Sequence, residues 1–79
     1  MFDLPGMNLK EKVGLRIRQL RKERELSQEA LAYEADVDRT YVTDVENGRR
    51  NVSIEIIERI IKALDISVAE FFNSREFKK

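Results

Sequence analysis

Polar residues that favour helix starts divide the chain into short segments. Ser27, Asp38, Ser53 and Ser67 each precede a run in which apolar residues recur three or four positions apart. Side chains of this kind accept a hydrogen bond from the first turn of a helix. No run alternates apolar and polar residues between hairpin turns. The pattern predicts an all-α, compact five-helix fold, with Glu70 completing a capping box at Ser67.

One face of each helix is expected to form a shared core. The first helix is predicted over about Leu9 to Arg24, and the third is predicted to run about three turns before Asn47-Gly48 end it. The fourth helix is expected to pack on the first. The predicted inward residues are Leu9, Val13, Ile17, Leu20, Leu31, Ala32, Ala35, Val42, Val45, Ile54, Ile57, Ile60, Ile61 and Leu64.

A chain of 79 residues suits one domain. We expect a flexible N-terminal tail over residues 1–7, a domain over 8–73 and a C-terminal tail over 74–79, in which no pattern predicts structure. The start of the chain lacks the features of a signal peptide, and no apolar run approaches the length of a membrane span. These features favour a cytoplasmic protein with no membrane partner.

The composition excludes several kinds of chemistry. The chain has no cysteine and no histidine, which excludes disulfides, structural zinc, thiol catalysis and imidazole acid-base catalysis. We therefore expect no enzyme activity, no metal and no cofactor. We also expect no small-molecule ligand, because the pattern predicts no separate ligand-sensing domain. The 15 basic and 15 acidic residues cancel, which by itself disfavours nucleic-acid binding. The charges are unevenly distributed, however, because residues 10–24 are mainly basic and residues 25–48 mainly acidic.

The second and third predicted helices are separated by only about three residues, Asp36 to Asp38. Such a link is too short for antiparallel packing and is typical of a helix-turn-helix. The residues around it form a specific set: Ser27-Gln28-Glu29, Leu31-Ala32, Ala35, Val37, Val42, Val45 and Glu46-Asn47-Gly48.

With this set, the stretch from Gln28 to Val45 resembles the helix-turn-helix of lambda-repressor-like, Cro/C1-type (XRE family) transcription regulators. The departure is Asp36, at a turn position where the family commonly has Gly, although Asp tolerates left-handed backbone angles better than most residues. The segments DRTYV and ENGRRNVS are similar to controller proteins of restriction-modification systems, which are small dimeric transcription regulators.

The resemblance implies that double-stranded DNA is the partner and that the third helix enters the major groove. Its outward residues Arg39, Thr40 and Thr43 are the candidates for base contacts, with Arg39 able to bind guanine in a bidentate manner. The role of Asp44 stays open. The candidates for phosphate contacts are Ser27, Gln28, Tyr41, Asn47, Arg49, Arg50 and Asn51. The resemblance also implies that Gln28 supports the recognition helix. For Arg49 and Arg50 the alternative is a solvated basic turn, and for Tyr41 it is packing against the fourth helix.

The resemblance also places Arg21 opposite Glu46, either as a partly buried ion pair that fixes the third helix or as two solvated surface charges. A dimer interface is expected at Ile66, Val68, Phe71 and Phe72, unless these side chains only close the core of the monomer. A dimer would place two recognition helices about 34 Å apart on a palindromic operator. The predicted function is sequence-specific transcription regulation, and the alternative is an antitoxin or other protein-binding helical module.

Overall fold

The computed structural model describes residues 6–78, which form five α-helices followed by a short 3-10 helix. The helices are α1 (Leu9–Glu23), α2 (Gln28–Ala35), α3 (Arg39–Glu46), α4 (Ile54–Ala63) and α5 (Val68–Phe71), and the 3-10 helix is Arg75–Phe77. No strand occurs within these residues, and the predicted all-α fold is confirmed. Most of the predicted N-terminal tail, residues 1–5, lies outside the described residues.

None of the helices within residues 6–78 has the length and apolar character needed to cross a membrane.

The core contains most of the residues that the apolar spacing predicted. Buried side chains come from all five α-helices: Val13, Ile17, Leu20, Leu31, Ala32, Ala35, Val42, Val45, Ile60, Ile61, Leu64 and Phe71. The prediction was wrong for Leu9 and Ile54, which are 64% and 85% exposed. Both are the first residues of their helices, where the apolar stripe extends beyond the edge of the core.

The packing of α4 differs from the prediction. The main partners of α4 are α2 and α5, whereas α1 packs against α3 and the 3-10 helix. Contrary to the expectation, α1 is therefore not a main partner of α4. Consequently α3 is held from two sides, by α1 and by α2.

Serine caps begin three of the helices. Ser27, Ser53 and Ser67 accept the backbone N–H of the residue three positions later, over 2.9 to 3.1 Å. Asp38 occupies the cap position of α3 but its carboxylate makes no capping hydrogen bond, so that prediction was wrong. At Ser67 only the serine half of the predicted capping box forms.

The only reciprocal capping box among the described helices lies at the start of α1, where the sequence analysis placed none. The Asn8 side chain accepts the Glu11 N–H over 3.0 Å, and the Glu11 carboxylate accepts the Asn8 N–H over 2.9 Å.

Gly48 ends α3 in the left-handed conformation, with φ of 73°. The following Arg49 N–H donates to the Asp44 carbonyl over 2.9 Å, which closes the last turn. The stop at Asn47-Gly48 is confirmed, but α3 has eight residues, which is about two turns rather than the three predicted.

The C-terminal segment packs onto the domain. The predicted tail over residues 74–79 contains the 3-10 helix, whose half-buried Phe77 lies 4.9 Å from the Phe72 ring and 6.2 Å from the Phe71 ring, between centroids. Arg16 of α1 donates to the carbonyl oxygens of Phe71 over 2.7 Å and Glu70 over 2.9 Å, so it caps the end of α5.

The Glu76 carboxyl also joins the 3-10 helix to α1. Partial burial raises its pKa, but hydrogen bonds from Ser74, its own N–H and Gln19, together with the Arg16 charge, hold the pKa below its ordinary value. These contacts favour the ionised carboxylate at neutral pH.

Gly14 sets the distance between α1 and α3. A Cβ atom at this position would lie 2.1 Å from the Val45 carbonyl oxygen, far inside van der Waals contact. Only glycine allows the two backbones to approach this closely. Gly14 therefore determines how deeply α3 lies against α1.

We predict that Gly14→Ala destabilises the fold. On an open helix this change adds about 1 kcal/mol of stability, but here the added methyl group forces α1 and α3 apart, and we expect a loss of about 1–3 kcal/mol. Urea unfolding measures the difference. Lys22→Ala, at an exposed position of the same helix, is the control and should stay within about 0.5 kcal/mol of the parent. Equal or greater stability of Gly14→Ala would contradict the close approach.

Candidate nucleic-acid interface

The turn between α2 and α3 comprises three residues, as predicted. Asp36 takes the left-handed conformation, with φ of 59° and ψ of 50°. The Val37 N–H donates to the Ala32 carbonyl over 3.0 Å, and Arg59 of α4 donates to the Asp36 carbonyl over 3.3 Å. Asp36 therefore adopts the conformation for which glycine is commonly used, and α4 braces the turn.

The two faces of α3 differ in burial. Val42, Val45 and Glu46 are buried against the bundle. Arg39 and Thr40 are exposed at the N-terminal end of the helix, and Thr43 is half-buried one turn later. These three side chains form the edge that α3 presents to solvent, which we call the presented edge.

A bidentate ion pair holds the buried end of α3. Arg21 donates from Nε to Glu46 Oε2 over 2.6 Å and from Nη2 to Glu46 Oε1 over 3.0 Å. A third donation runs from Arg21 Nη1 to the Leu26 carbonyl over 2.8 Å. The side chains of Arg21 and Glu46 are only 11% and 1% exposed. This geometry is that of a buried pair linking α1, the α1–α2 connection and α3, and not of two solvated charges.

Hydrogen bonds extend from this pair to the presented edge. Gln28 donates from Nε2 to Glu46 Oε1 over 3.0 Å, and the Thr43 hydroxyl donates to Gln28 Oε1 over 2.9 Å. Within residues 6–78 no buried side-chain nitrogen or oxygen lacks a hydrogen-bond partner. Gln28, assigned to phosphate from sequence, thus has its main side-chain contacts within the protein.

Arg50 lies beside α3 rather than free in solvent. Its guanidinium carbon is 4.5 Å from the centroid of the Tyr41 ring, and its Nη2 is 3.7 Å from Asp44 Oδ2. Asp44, whose role the sequence left open, is a partner of Arg50. The Tyr41 ring is partly buried against the core, and its stacking with Arg50 had no specific signal in the sequence.

The other phosphate candidates lie after α3 and at the start of α2. Asn47, Arg49 and Asn51 are exposed in the segment after α3. Ser27 is exposed at the start of α2, where its hydroxyl accepts the Ala30 N–H. Cationic and polar groups therefore follow the C-terminal end of α3, and a polar group begins α2.

Comparison with known proteins connects this geometry to a family. A helix-turn-helix family profile matches residues 17–71, which span α2, α3 and their turn. The chain belongs to the Cro/C1-type helix-turn-helix family.

Several members similar to this chain are restriction-modification controller proteins. The control protein C.MunI from Mycoplasma sp is 43% identical over 70 residues, covering 87% of this chain and 95% of that protein. The crystal structure of controller protein C.AhdI from Aeromonas hydrophila has a TM-score of 0.77 at 48% identity, covering 80% of this chain and 96% of that one. A C.Esp1396I tetramer in complex with its natural 35 base-pair operator has a TM-score of 0.78 at 41% identity, covering 81% and 84%.

The predicted dimer residues occupy different environments in this Cro/C1-type protein. Phe71 is fully buried in the core of its own protomer, so its assignment to a dimer interface was wrong. Val68 and Phe72 remain 55% and 37% exposed, and Ile66 is half-buried. A surface groove of mainly apolar lining runs from Phe72 to Leu9.

We predict that Arg21→Ala strongly destabilises this helix-turn-helix domain. The change leaves the Glu46 carboxylate buried without its cation, which costs about 3–5 kcal/mol. Thermal unfolding measures the effect. Arg24→Ala is a matched control, because the nearest carboxylate oxygen of its partner Glu23 is 4.0 Å away and both side chains are much more exposed. An unchanged melting temperature for Arg21→Ala would show that the pair does not stabilise the fold.

Proposed function

We propose that this chain is a sequence-specific transcription regulator of the restriction-modification controller type, which binds palindromic operator DNA as a homodimer in the cytoplasm. The observation that carries the proposal is the presented edge of Arg39, Thr40 and Thr43, held by the buried network that ends at Arg21 and Glu46. Similarity to controller proteins over nearly their whole length supports the same function.

Base contacts are assigned to the presented edge. Arg39, Thr40 and Thr43 lie along the outer side of α3, the position from which a recognition helix reaches base edges in the major groove. The Arg39 guanidinium matches the O6 and N7 acceptors of guanine, and one such pair provides about 1–3 kcal/mol of discrimination.

Phosphate contacts are assigned to the groups that flank this edge. Arg49 and Asn51 are exposed after α3, and Arg50 stacked on Tyr41 retains N–H groups to donate. Ser27 and the first N–H groups of α2 offer a second point of contact.

A zero formal net charge limits the attraction of the protein to arbitrary DNA. Joining two half-sites in a dimer compensates for this by raising the effective concentration of the second contact.

The dimer surface is assigned to Val68 and Phe72, with Ile66 at its margin. Val68 and Phe72 are four residues apart on one side of the terminal helical turn, and the groove beside Phe72 continues the apolar surface to Leu9. An exposed apolar surface of this kind at one end of a small domain suits a second copy related by a two-fold axis.

No catalytic role is assigned, because the chain contains no histidine or cysteine and the similar proteins include HTH-type transcriptional regulators. The antitoxin alternative would use the same apolar surface to bind a different protein. The presented edge and the similarity to controller proteins favour the regulator.

We predict that two arginine variants separate base reading from phosphate binding. The operator is first selected with the full chain from a random DNA pool, and affinities are then measured by fluorescence anisotropy over a range of salt concentrations. Arg39→Ala should reduce the preference for operator over random DNA by about 1–3 kcal/mol. The double variant Arg49→Ala/Arg50→Ala should weaken binding to both DNAs and lower the salt slope by roughly one for each phosphate that is no longer neutralised.

Lys62→Ala, at the far end of α4, is the control for removing one exposed cation. Failure to select any DNA sequence would refute the proposed function. Unchanged affinity and slope in the double variant would refute only the phosphate assignment.

We predict that the dimer is sensitive to charge at Val68. Val68→Asp places a carboxylate in the apolar contact and should weaken dimerisation roughly tenfold or more, while the exposed position leaves the protomer folded. Sedimentation equilibrium measures the dissociation constant. Tyr33→Asp, which is 83% exposed on α2, is the control and should dimerise normally. A wild-type protein that is monomeric at high micromolar concentration, and binds DNA as a monomer, would contradict the assignment.

A further inference from the structure

The Thr43 hydroxyl lies between two hydrogen-bond acceptors. Its Oγ1 atom is 2.9 Å from Gln28 Oε1 and 3.2 Å from the Arg39 main-chain oxygen. A hydroxyl group has one hydrogen to donate and two lone pairs with which to accept. Whichever of the two oxygens accepts the hydrogen, it is donated within the protein and is not available to a base.

The buried ion pair fixes the orientation of the Gln28 amide. Arg21 donates to both oxygens of Glu46, so that carboxylate acts only as an acceptor. The Gln28 group that lies 3.0 Å from Glu46 must therefore be the Nε2 donor. A reversed amide would place Oε1 against a carboxylate oxygen, so Gln28 presents its acceptor to Thr43.

The buried ion pair consequently determines which group donates and which accepts in each hydrogen bond out to the surface. Arg21 orients Glu46, Glu46 orients the Gln28 amide, and the amide presents only an acceptor to the Thr43 hydroxyl. What remains on the outer side of Thr43 is the oxygen with its lone pairs and a methyl group.

We propose that Thr43 determines specificity as a hydrogen-bond acceptor, binding the exocyclic amino group of a base in the major groove. This inference rests on the proposed DNA-binding function. The amino groups available there are adenine N6 and cytosine N4, whereas guanine O6 and thymine O4 are acceptors that Thr43 does not satisfy. Gln28 and Glu46 are positioning residues, because they act on the base only through the Thr43 hydroxyl.

The test combines Thr43 variants with base analogues in the selected operator. Each adenine is replaced in turn by purine and each cytosine by its 4-deamino analogue, so that a single amino group is removed. Thymine O4 and guanine O6 are removed by corresponding analogues, and the thymine methyl group is removed by replacing thymine with uracil. Binding is measured for the full-length wild type, for Thr43→Val, which keeps the shape but loses the hydroxyl, and for Thr43→Ser, which keeps the hydroxyl. Thr40→Val is the matched control on the neighbouring exposed threonine.

At one position of each half-site, removal of the amino group should weaken wild-type binding roughly 3- to 10-fold, the effect of one net hydrogen bond. Thr43→Ser and Thr40→Val should show the same loss of affinity when the amino group is removed, because both keep a hydroxyl at position 43. Thr43→Val should show almost no loss. Circular dichroism of Thr43→Val verifies that the fold is retained, and the analogue series on the wild type and Thr43→Ser does not depend on that variant.

Three results would overturn the proposal while leaving the regulator function intact. In the first, Thr43→Val abolishes the loss of affinity caused by removing guanine O6 or thymine O4. In the second, it abolishes only the loss caused by removing a thymine methyl group. In the third, Thr43→Val changes the effect of no analogue at any position. Failure of the protein to select any DNA sequence would overturn the proposed function and this inference with it.

Discussion

The buried pair of Arg21 and Glu46 is the interaction on which the functional surface depends. Both oxygens of Glu46 and all three nitrogens of the Arg21 guanidinium are engaged, and the third donation fixes the connection into α2. Desolvating two charges is costly, so such a pair adds little to stability compared with an apolar alternative. Its contribution here is geometric, because it holds α3 to α1 at the end opposite the exposed Arg39.

Gly14 supplies the second constraint on α3, and it acts by size rather than by charge. The absence of a Cβ atom lets the Val45 carbonyl lie directly against α1. Gly48 allows a second close approach to α1 just after α3, where a Cβ atom would lie 2.8 Å from the Glu11 side chain. The recognition helix is short, and these two close contacts at its C-terminal end compensate for the few turns through which it can be held.

Local and periodic patterns predicted much of this structure. The serine caps, the three-residue turn and the buried valines of α3 follow from hydrogen-bonding chemistry and helical spacing. The same spacing placed Ile54 in the core and α4 on α1, because periodicity identifies an apolar face but not which helix covers it. Phe71 and Phe72 were indistinguishable in sequence, yet one is buried and the other is partly exposed.

The predictions for the site show the same limit. Family resemblance brought Arg21 and Glu46 together across 25 positions, which spacing alone could not do. The resemblance implied that Gln28 supports the recognition helix, but it did not indicate that Gln28 joins this pair to Thr43. Neither the resemblance nor the spacing indicated that Arg16 caps α5. Such contacts depend on side-chain rotamers and on the distance between helices, which emerge only when the bundle is packed.

Arg50 already has two partners before any nucleic acid arrives, the Tyr41 ring and the Asp44 carboxylate. In the proposed phosphate contact, Arg50 would therefore exchange one anion for another rather than bind as a free cation. The net gain in binding free energy would be small where the phosphate is badly placed, and would grow only where the backbone of the duplex meets the stacked guanidinium. With zero formal net charge, the protein would thus gain more from correct docking than from mere proximity to DNA.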